Sequence, residues 1–201
     1  MRKKIVVAVT GGIGTGKSSV CRLLSAFSGA ALVDVDMISR NLLYRGSAAW
    51  LILRDTLGAN YFDGTGELDR AALRNAIFSD PTLRKTVNAF LHPLIYEKMV
   101  AEIKNCKHHL VFVDIPLLFE VGWQDDFDSV VVVFTEKEVQ CERIVQRDRV
   151  TREQAEASIA SQLNINEKID KADYLIDNSC SWKAARVKVT ALAEQMEDYF
   201  G

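Results

Sequence analysis

The chain has 201 residues, of which 48% are hydrophobic and 26% charged, and its formal net charge is −2. This length and composition predict a globular protein with one domain and room for a small insertion. The near-neutral charge gives no general attraction to nucleic acids or anionic membranes, so we expect neither as a partner.

The cysteines and the apolar runs bear on the subcellular location of the protein. Four cysteines are scattered without Cys-x-x-Cys spacing, which is typical of free thiols in a reducing compartment. The first apolar run is too short for a signal peptide, and no run reaches the roughly 20 residues of a membrane span. We therefore expect a cytoplasmic protein, as a monomer or a small homo-oligomer.

The first predicted strand, "KIVVAV" (4–9), is followed by the glycine-rich stretch "TGGIGTGKSS" (10–19) and a predicted helix over 17–28. The stretch fits Gly-x-x-x-x-Gly-Lys-Ser, in which backbone N–H groups and the helix N-terminus hold phosphate groups. In such a motif Lys17 reaches the outer phosphates and the Ser18 hydroxyl binds Mg²⁺. The alternative is a glycine-rich turn that merely joins strand and helix. The complete match predicts a nucleotide-phosphate site formed by Gly11, Gly12, Ile13, Gly14, Thr15, Gly16, Lys17, Ser18 and Ser19, which the family resemblance described below implies is an ATP site.

The second predicted strand, "ALVDVD" (31–36), ends in two acids. Strand alternation puts Asp34 and Asp36 on the same side, where a carboxylate can orient an acceptor hydroxyl, take its proton or hold Mg²⁺ through water. Alternatively, one of them caps a helix that begins near Met37.

Residues 37–108 show helical patterns and no buried strand, which predicts a helical insertion. Pro81 is expected at the first position of a helix, and the pair His92-Pro93 predicts a kink or a boundary. His92 could contact an anionic substrate or be purely structural.

The third predicted strand, "HLVFVD" (109–114), ends at Asp114, which could organise Mg²⁺ or cap a loop. After it, Pro116, Leu117 and Leu118 suggest either a loop wall that faces an organic substrate or a plug of the core.

The last third contains two further predicted strands, 129–134 and 173–177, and helices over 135–148, 151–163 and 182–200. Arg143 and Arg147 share one helix face, and such arginines are typical of a lid that closes over phosphates, whereas Arg152 is expected to be solvated. Asn178 could read an adenine edge or form a turn. The alternation of strands and helices predicts an α/β fold with a doubly wound, parallel, five-stranded sheet, similar to P-loop NTPases.

Seven stretches together resemble the dephospho-CoA kinase family: "VTGGIGTGKS", "DVDMISR", "GELDRAALRNAIF", "LHPLI", "DIPLLFE", "QCERIVQRD" and "ADYLIDNS". They occur in the family's order and cover nearly the whole chain. The resemblance implies a nucleotide-binding core (1–36 and 109–201), a helical CoA-substrate-binding insertion (37–108) and a lid at about 140–160.

The resemblance also implies a reaction, in which ATP phosphorylates the ribose 3′-hydroxyl of dephospho-CoA to give CoA and ADP. Asp36 then corresponds to the base, Arg147 to the lid arginine, and the region of His92 to the acceptor side. The metal would bind Ser18, with Asp36 or Asp114 acting through water. Two alternatives are another P-loop kinase for a nucleoside, nucleotide or small molecule, and an ATP-binding switch without an acceptor.

Overall fold

The computed structural model describes residues 3–200, which form five strands and ten α-helices. The strands are β1 (Ile5–Gly11), β2 (Ala31–Asp34), β3 (Leu110–Asp114), β4 (Ser129–Phe134) and β5 (Tyr174–Asp177). The helices are α1 (Lys17–Ser28), α2 (Val35–Leu42), α3 (Ala48–Leu57), α4 (Arg70–Ser79), α5 (Pro81–Asn105), α6 (Leu118–Val121), α7 (Lys137–Asp148), α8 (Arg152–Ala160), α9 (Ile165–Ile169) and α10 (Trp182–Phe200). Within the described range, no helix is both long and apolar enough to cross a bilayer.

The strands pair in the order β2-β3-β1-β4-β5, and every pairing is parallel. The predicted parallel five-stranded sheet is therefore confirmed. The register brings Asp114 opposite both Val9 of β1 and Asp34 of β2, and Gly11 opposite Val133 of β4. The carboxyl ends of four strands thus share one edge, which is where ligands bind in open α/β sheets.

The core lies on both faces of the sheet, because consecutive residues of one strand are buried. Val7, Ala8 and Val9 are all fully buried, which requires cover on each side. On one side, α1 and α10 pack against β1, β3 and β4 through a cluster that includes Leu24 and Met196. Burial of each such side chain contributes about 1.5–3 kcal/mol to folding.

The chain divides into two compact units, one formed by the residues up to Asp34 together with those from Asn105 onward, the other by Val35–Lys104. The second unit is helical. Its helix starts are capped by side chains: Ser47 Oγ accepts from Trp50 N at 3.0 Å, and Asp69 Oδ1 accepts from the N–H groups of Ala71 and Ala72. The predicted start at Pro81 is confirmed, with Asp80 Oδ1 accepting from two N–H groups of the first turn.

Two sequence-based boundaries were wrong, and at Pro93 one of the two predicted alternatives, a helix boundary, is excluded. The second strand ends at Asp34, and α2 already begins at Val35, so Asp36 lies in a helical first turn, where its charge suits the helix dipole. The boundary at Pro93 is absent because α5 continues through it, with a buried stripe at four-residue spacing: Val87, Leu91, Ile95 and Met99. The helix predicted over 151–163 ends at Ala160, since Asn164 caps a new helix by accepting from Asn166 N.

Candidate active site

The phosphate loop, defined as Gly11–Ser19, joins the end of β1 to the start of α1. Gly16 precedes the first helical residue with φ of 85°, a left-handed conformation that favours glycine. The N–H groups of Gly14, Gly16 and Ser18 have no acceptor within residues 3–200. Unpaired N–H groups at a helix start form an anion site, so the loop has the donors that phosphate oxygens require.

Amide side chains from other elements approach two glycines of the loop so closely that a larger residue there would have to displace them. A Cβ on Gly12 would lie 2.6 Å from Gln140 Nε2, and a Cβ on Gly16 would lie 2.5 Å from Asn178 Nδ2. The sequence suggests that these glycines serve the phosphate. The structure shows that they also make room for supporting amides.

Asn178 and Arg143 both donate hydrogen bonds to the carbonyl oxygen of Thr15. Asn178 Nδ2 donates to Thr15 O at 2.7 Å, and the Arg143 guanidinium donates to Thr15 O at 3.4 Å and to Asn178 O at 3.0 Å. Asn178 is only 4% exposed. The structure therefore places both residues against the phosphate loop, with one amide N–H of Asn178 bonded to the loop.

Lys17 forms an ion pair with Asp114, the last residue of β3. Both side chains are nearly buried, with exposures of 10% and 4%. The buried carboxylate fixes the ammonium group at the carboxyl edge of the sheet, beside the start of α1. Burial also raises the pKa of the neighbouring Cys21 thiol to about 12, against the lowering effect of Lys17, so this cysteine is a neutral core residue.

The two acids of the predicted pair belong to different units. Asp34 ends β2 and is half-buried, whereas Asp36 lies on α2 with an exposed side chain. The strand alternation expected to align them is absent, because the helix begins between them. His92 lies on α5 of the helical unit, where burial lowers the pKa of its imidazole.

Arg147 lies on α7, one turn beyond Arg143, and makes a two-pronged contact with Asp148. Arg147 Nε and Nη2 donate to the two carboxylate oxygens at 2.8 and 2.7 Å. These hydrogen bonds raise the pKa of Arg147. Its side chain is 58% exposed, so it is not packed against the phosphate loop as Arg143 is. Arg152 pairs with Glu138 and Glu156 on the surface.

The residues that follow β3 differ in their exposure to solvent. Leu118 is fully buried at the start of α6, while Leu117 is 40% exposed. Pro116 O accepts a hydrogen bond from Thr10 Oγ1 at 3.4 Å, which ties this loop to the end of β1. Of the two alternatives for this stretch, the core plug therefore describes Leu118, whereas Leu117 lies at the surface.

A phosphate loop occurs in many families of nucleotide-binding proteins, and comparisons with known proteins show to which family this chain belongs. A family model described as dephospho-CoA kinase matches residues 5–184. The chain belongs to the dephospho-CoA kinase family. A dephospho-CoA kinase from Staphylococcus epidermidis is 38% identical over 175 residues, which cover 86% of each chain.

Solved structures agree with this membership in the dephospho-CoA kinase family. TT1252 from Thermus thermophilus superposes with a TM-score of 0.84 at 30% identity and covers 100% of both chains. Dephospho-CoA kinase from Campylobacter jejuni gives a TM-score of 0.69 at 28% identity, covering 96% of this chain and 98% of its own. The resemblance found in the sequence is therefore confirmed.

Two residues that hold the phosphate loop were not foreseen. Gln162 Oε1 accepts from Ile13 N at 2.8 Å, and Gln140 Nε2 donates to Ile13 O, so both polar groups of Ile13 are paired with amides. Ile13 also packs against the small core of α7 and α8, which contains Ile144. Gln140 begins the stretch "QCERIVQRD", and Gln162 lies 15 residues after Arg147, so nothing in their spacing predicts contact with the loop.

A buried ion pair was also missed. Lys168 on α9 is fully buried and lies 2.7 Å from Glu120 Oε1, on the segment after β3. The same carboxylate oxygen accepts from Leu163 N at 3.1 Å. Glu120 thus joins the segment after Asp114 to the chain that follows Gln162. In sequence, Lys168 lies among charged residues and gives no sign of burial.

Proposed function

We propose that this chain transfers the γ-phosphoryl group of ATP to the ribose 3′-hydroxyl of dephospho-CoA, giving CoA and ADP. The observation that carries this proposal is the match to the dephospho-CoA kinase family over residues 5–184. The phosphate loop, with its unpaired N–H groups and buried lysine, supports the nucleotide side of the reaction.

At the site for ATP, the phosphoryl donor, the N–H groups of Gly14, Gly16 and Ser18 would bind phosphate oxygens. The Lys17 ammonium, positioned by Asp114, would meet the β- and γ-phosphates, where its charge stabilises the transition state. Because the supporting amides already hold the loop, little reorganisation is needed when the nucleotide binds.

Magnesium is the metal that this site fits. Among the described residues, no group of three or more histidine, cysteine or acidic side chains could hold a metal ion. Mg²⁺ needs only a few protein oxygens, since it binds phosphate oxygens and keeps several waters. The half-buried Ser18 hydroxyl and the carboxylate of Asp114 or Asp36 offer such oxygens. When bound, the ion would neutralise charge on the phosphates.

On the acceptor side, Asp36 would orient the 3′-hydroxyl and accept its proton. The hydroxyl oxygen bonds to the γ-phosphorus while the bond between that phosphorus and the bridging oxygen breaks, and ADP leaves. Arg147 would neutralise charge on the transferred group. We assign Asp34, His92, Pro116 and Leu117 to the acceptor side as well, whereas the fully buried Leu118 belongs to the core.

The same proposal gives the parts of the chain their roles. The helical stretch 37–108 would bind the acceptor, and the segment at about 140–160, which contains most of α7 and α8, would act as the lid. The four cysteines are free thiols, which supports the proposal of a cytoplasmic location. We further propose that the protein is a monomer or small homo-oligomer.

The decisive experiment is an acceptor screen with ATP and Mg²⁺, in which ADP release is followed with dephospho-CoA, AMP, CMP or shikimate. We expect strong turnover with dephospho-CoA alone, and a product whose new phosphate is removed by a 3′-specific nucleotidase. Turnover of AMP, CMP or shikimate instead would identify another small-molecule kinase. ATP binding with no acceptor-dependent turnover would indicate a switch protein.

A further inference from the structure

The helical unit contains a cavity of about 300 Å³ that none of the assignments above uses. This volume is at the lower end of the range for small-ligand sites, about 300–1,000 Å³. Two arginines, two aromatic rings and a polar turn line it: Arg45, Trp50, Arg54, Phe62 and residues 63–66.

Both guanidinium groups at the cavity lack a carboxylate partner among residues 3–200. Arg54 lies over the ring of Trp50, with Cζ 5.2 Å from the ring centroid. Arg45 lies along the turn, where a Cβ on Gly66 would meet its Nε at 3.4 Å. The cavity therefore has two positive charges that are positioned by packing but not neutralised.

One carboxylate oxygen of the acid in the cavity wall, Asp63, is hydrogen-bonded within its own turn. Asp63 Oδ1 accepts from the N–H groups of Thr65 and Glu67 and from the Thr65 hydroxyl, at 2.6 to 3.0 Å. Backbone hydrogen bonds between Asp63 and Glu67, and between Asp63 and Gly66, close the turn further. Asp63 thus shapes the wall through Oδ1, and no ion pair joins it to either arginine among residues 3–200.

Trp50 forms a tightly packed part of the cavity wall. Its side chain is 4% exposed and packs edge-on against Phe62, with ring centroids 5.4 Å apart. Its buried Nε1–H has no hydrogen-bond acceptor within the described part of the chain. The Trp50 ring therefore gives the cavity a rigid aromatic wall, against which the Arg54 guanidinium lies.

The position of the cavity within the helical unit suits one part of the proposed acceptor. Asp36 lies in the first turn of α2, and Arg45 follows three residues after the helix ends. At 1.5 Å per residue, the eight residues of α2 span about 12 Å. Dephospho-CoA carries its diphosphate on the 5′ side of the ribose, away from the 3′-hydroxyl. An anion site at a distance from the base is what this acceptor requires.

We propose that the cavity binds the diphosphate of dephospho-CoA, with Arg45 and Arg54 as its anion ligands and Phe62 against the adjoining organic chain. This inference rests on the proposed function, because it names the part of that acceptor which the helical unit holds. Arginine suits the task, since its planar fork can donate two hydrogen bonds to one phosphate group.

The test measures dephospho-CoA binding by calorimetry without ATP, and steady-state kinetics with ATP. Arg45→Gln and Arg54→Gln each remove a charge from an exposed side chain. We expect each to weaken dephospho-CoA binding and raise its KM about tenfold, with the ATP KM and kcat within about twofold. The matched control is Arg84→Gln, which removes an exposed arginine of α5 that does not line the cavity.

Adenosine, which lacks the diphosphate, is the second probe. Its inhibition constant against dephospho-CoA should be the same for the wild type and for Arg45→Gln and Arg54→Gln. Unchanged dephospho-CoA binding in both variants would overturn the proposal, as would equal weakening of adenosine and dephospho-CoA.

The binding measurement separates this proposal from the proposed function. Dephospho-CoA binding that depends on Arg45 and Arg54 would support the cavity assignment even if no phosphoryl transfer occurred. Turnover of dephospho-CoA that is indifferent to both arginines would leave the activity standing and refute the site. Circular dichroism of each variant confirms that it is folded, and Arg54→Lys retains the charge as a further comparison.

Discussion

Thr15 and Lys17 are almost completely buried at the phosphate loop, whereas Asp36 and Arg147 have exposed side chains. The loop residues are bonded to neighbours that come from β3, from α7 and from the segments around Gln162 and Asn178. The exposed pair has few such contacts, and the contact shown for Arg147 is with its chain neighbour Asp148.

In the proposed mechanism, the residues that hold the phosphates are thus packed into the core, whereas the proposed base and lid arginine are not. The phosphate loop folds together with the core, so substitutions there should affect both stability and activity. Asp36 and Arg147 contribute little to packing, so substitutions at these positions should affect activity alone. Four variants test this contrast, in order of decreasing expected effect.

The largest effect is expected for Lys17→Ala, which should lower kcat by at least about 1,000-fold because the charge nearest the β- and γ-phosphates is lost. The free energy of unfolding should also fall by about 3–5 kcal/mol, because Asp114 loses its buried ion-pair partner. Kinetics and thermal unfolding measure the two effects. Adding Asp114→Asn should restore stability without restoring activity, and a near-normal kcat in Lys17→Ala would refute the assignment of the loop.

Asp36→Asn should lower kcat about 100-fold, since the amide cannot accept the proton of the 3′-hydroxyl. The KM for ATP and the melting temperature should stay close to the wild type because the side chain is exposed. Asp55→Asn, at an exposed acid of α3, is the control. Lost thermal stability with intact activity would show that Asp36 is merely structural.

Arg147→Lys should lower kcat about tenfold, as expected when one charge-assisted hydrogen bond to phosphate is lost while the charge remains. The melting temperature should change little, because the arginine is largely exposed. Arg152→Lys is the matched control, since that arginine forms surface ion pairs on α8. Equal rates for Arg147→Lys and the wild type would remove Arg147 from the mechanism.

The smallest effect is expected for Gln162→Met, which keeps the size of the side chain but removes the acceptor for Ile13 N–H. Losing one neutral hydrogen bond should raise the ATP KM about fivefold and slightly lower the melting temperature. Gln195→Met, on the exposed face of α10, serves as the comparison. If the ATP KM is unchanged, Gln162 does not support the loop in solution.

Local signals explain why much of the fold was predictable. Runs such as "SVVVVF" are buried on both faces and can only be inner strands, and the spacing of Gly11, Gly16, Lys17 and Ser18 specifies a phosphate loop. Features that depend on residues distant in the chain could not be predicted from local patterns. Because α2 begins at Val35, Asp34 and Asp36 do not lie on one strand as expected. Helix α5 continues through Pro93, with buried residues at four-residue spacing on both sides of the proline.

The sequence by itself determined the parallel sheet, the phosphate loop and the family, because these follow from residues that are close together in the chain or recur in a fixed order. Only the tertiary structure decided that Gln140 and Gln162 hold Ile13, that Asp114 pairs with Lys17, and that Lys168 is buried against Glu120. Each of these contacts joins residues 48 to 149 positions apart. These groups meet because folding brings distant segments of the chain together, and no spacing along the chain predicts such contacts.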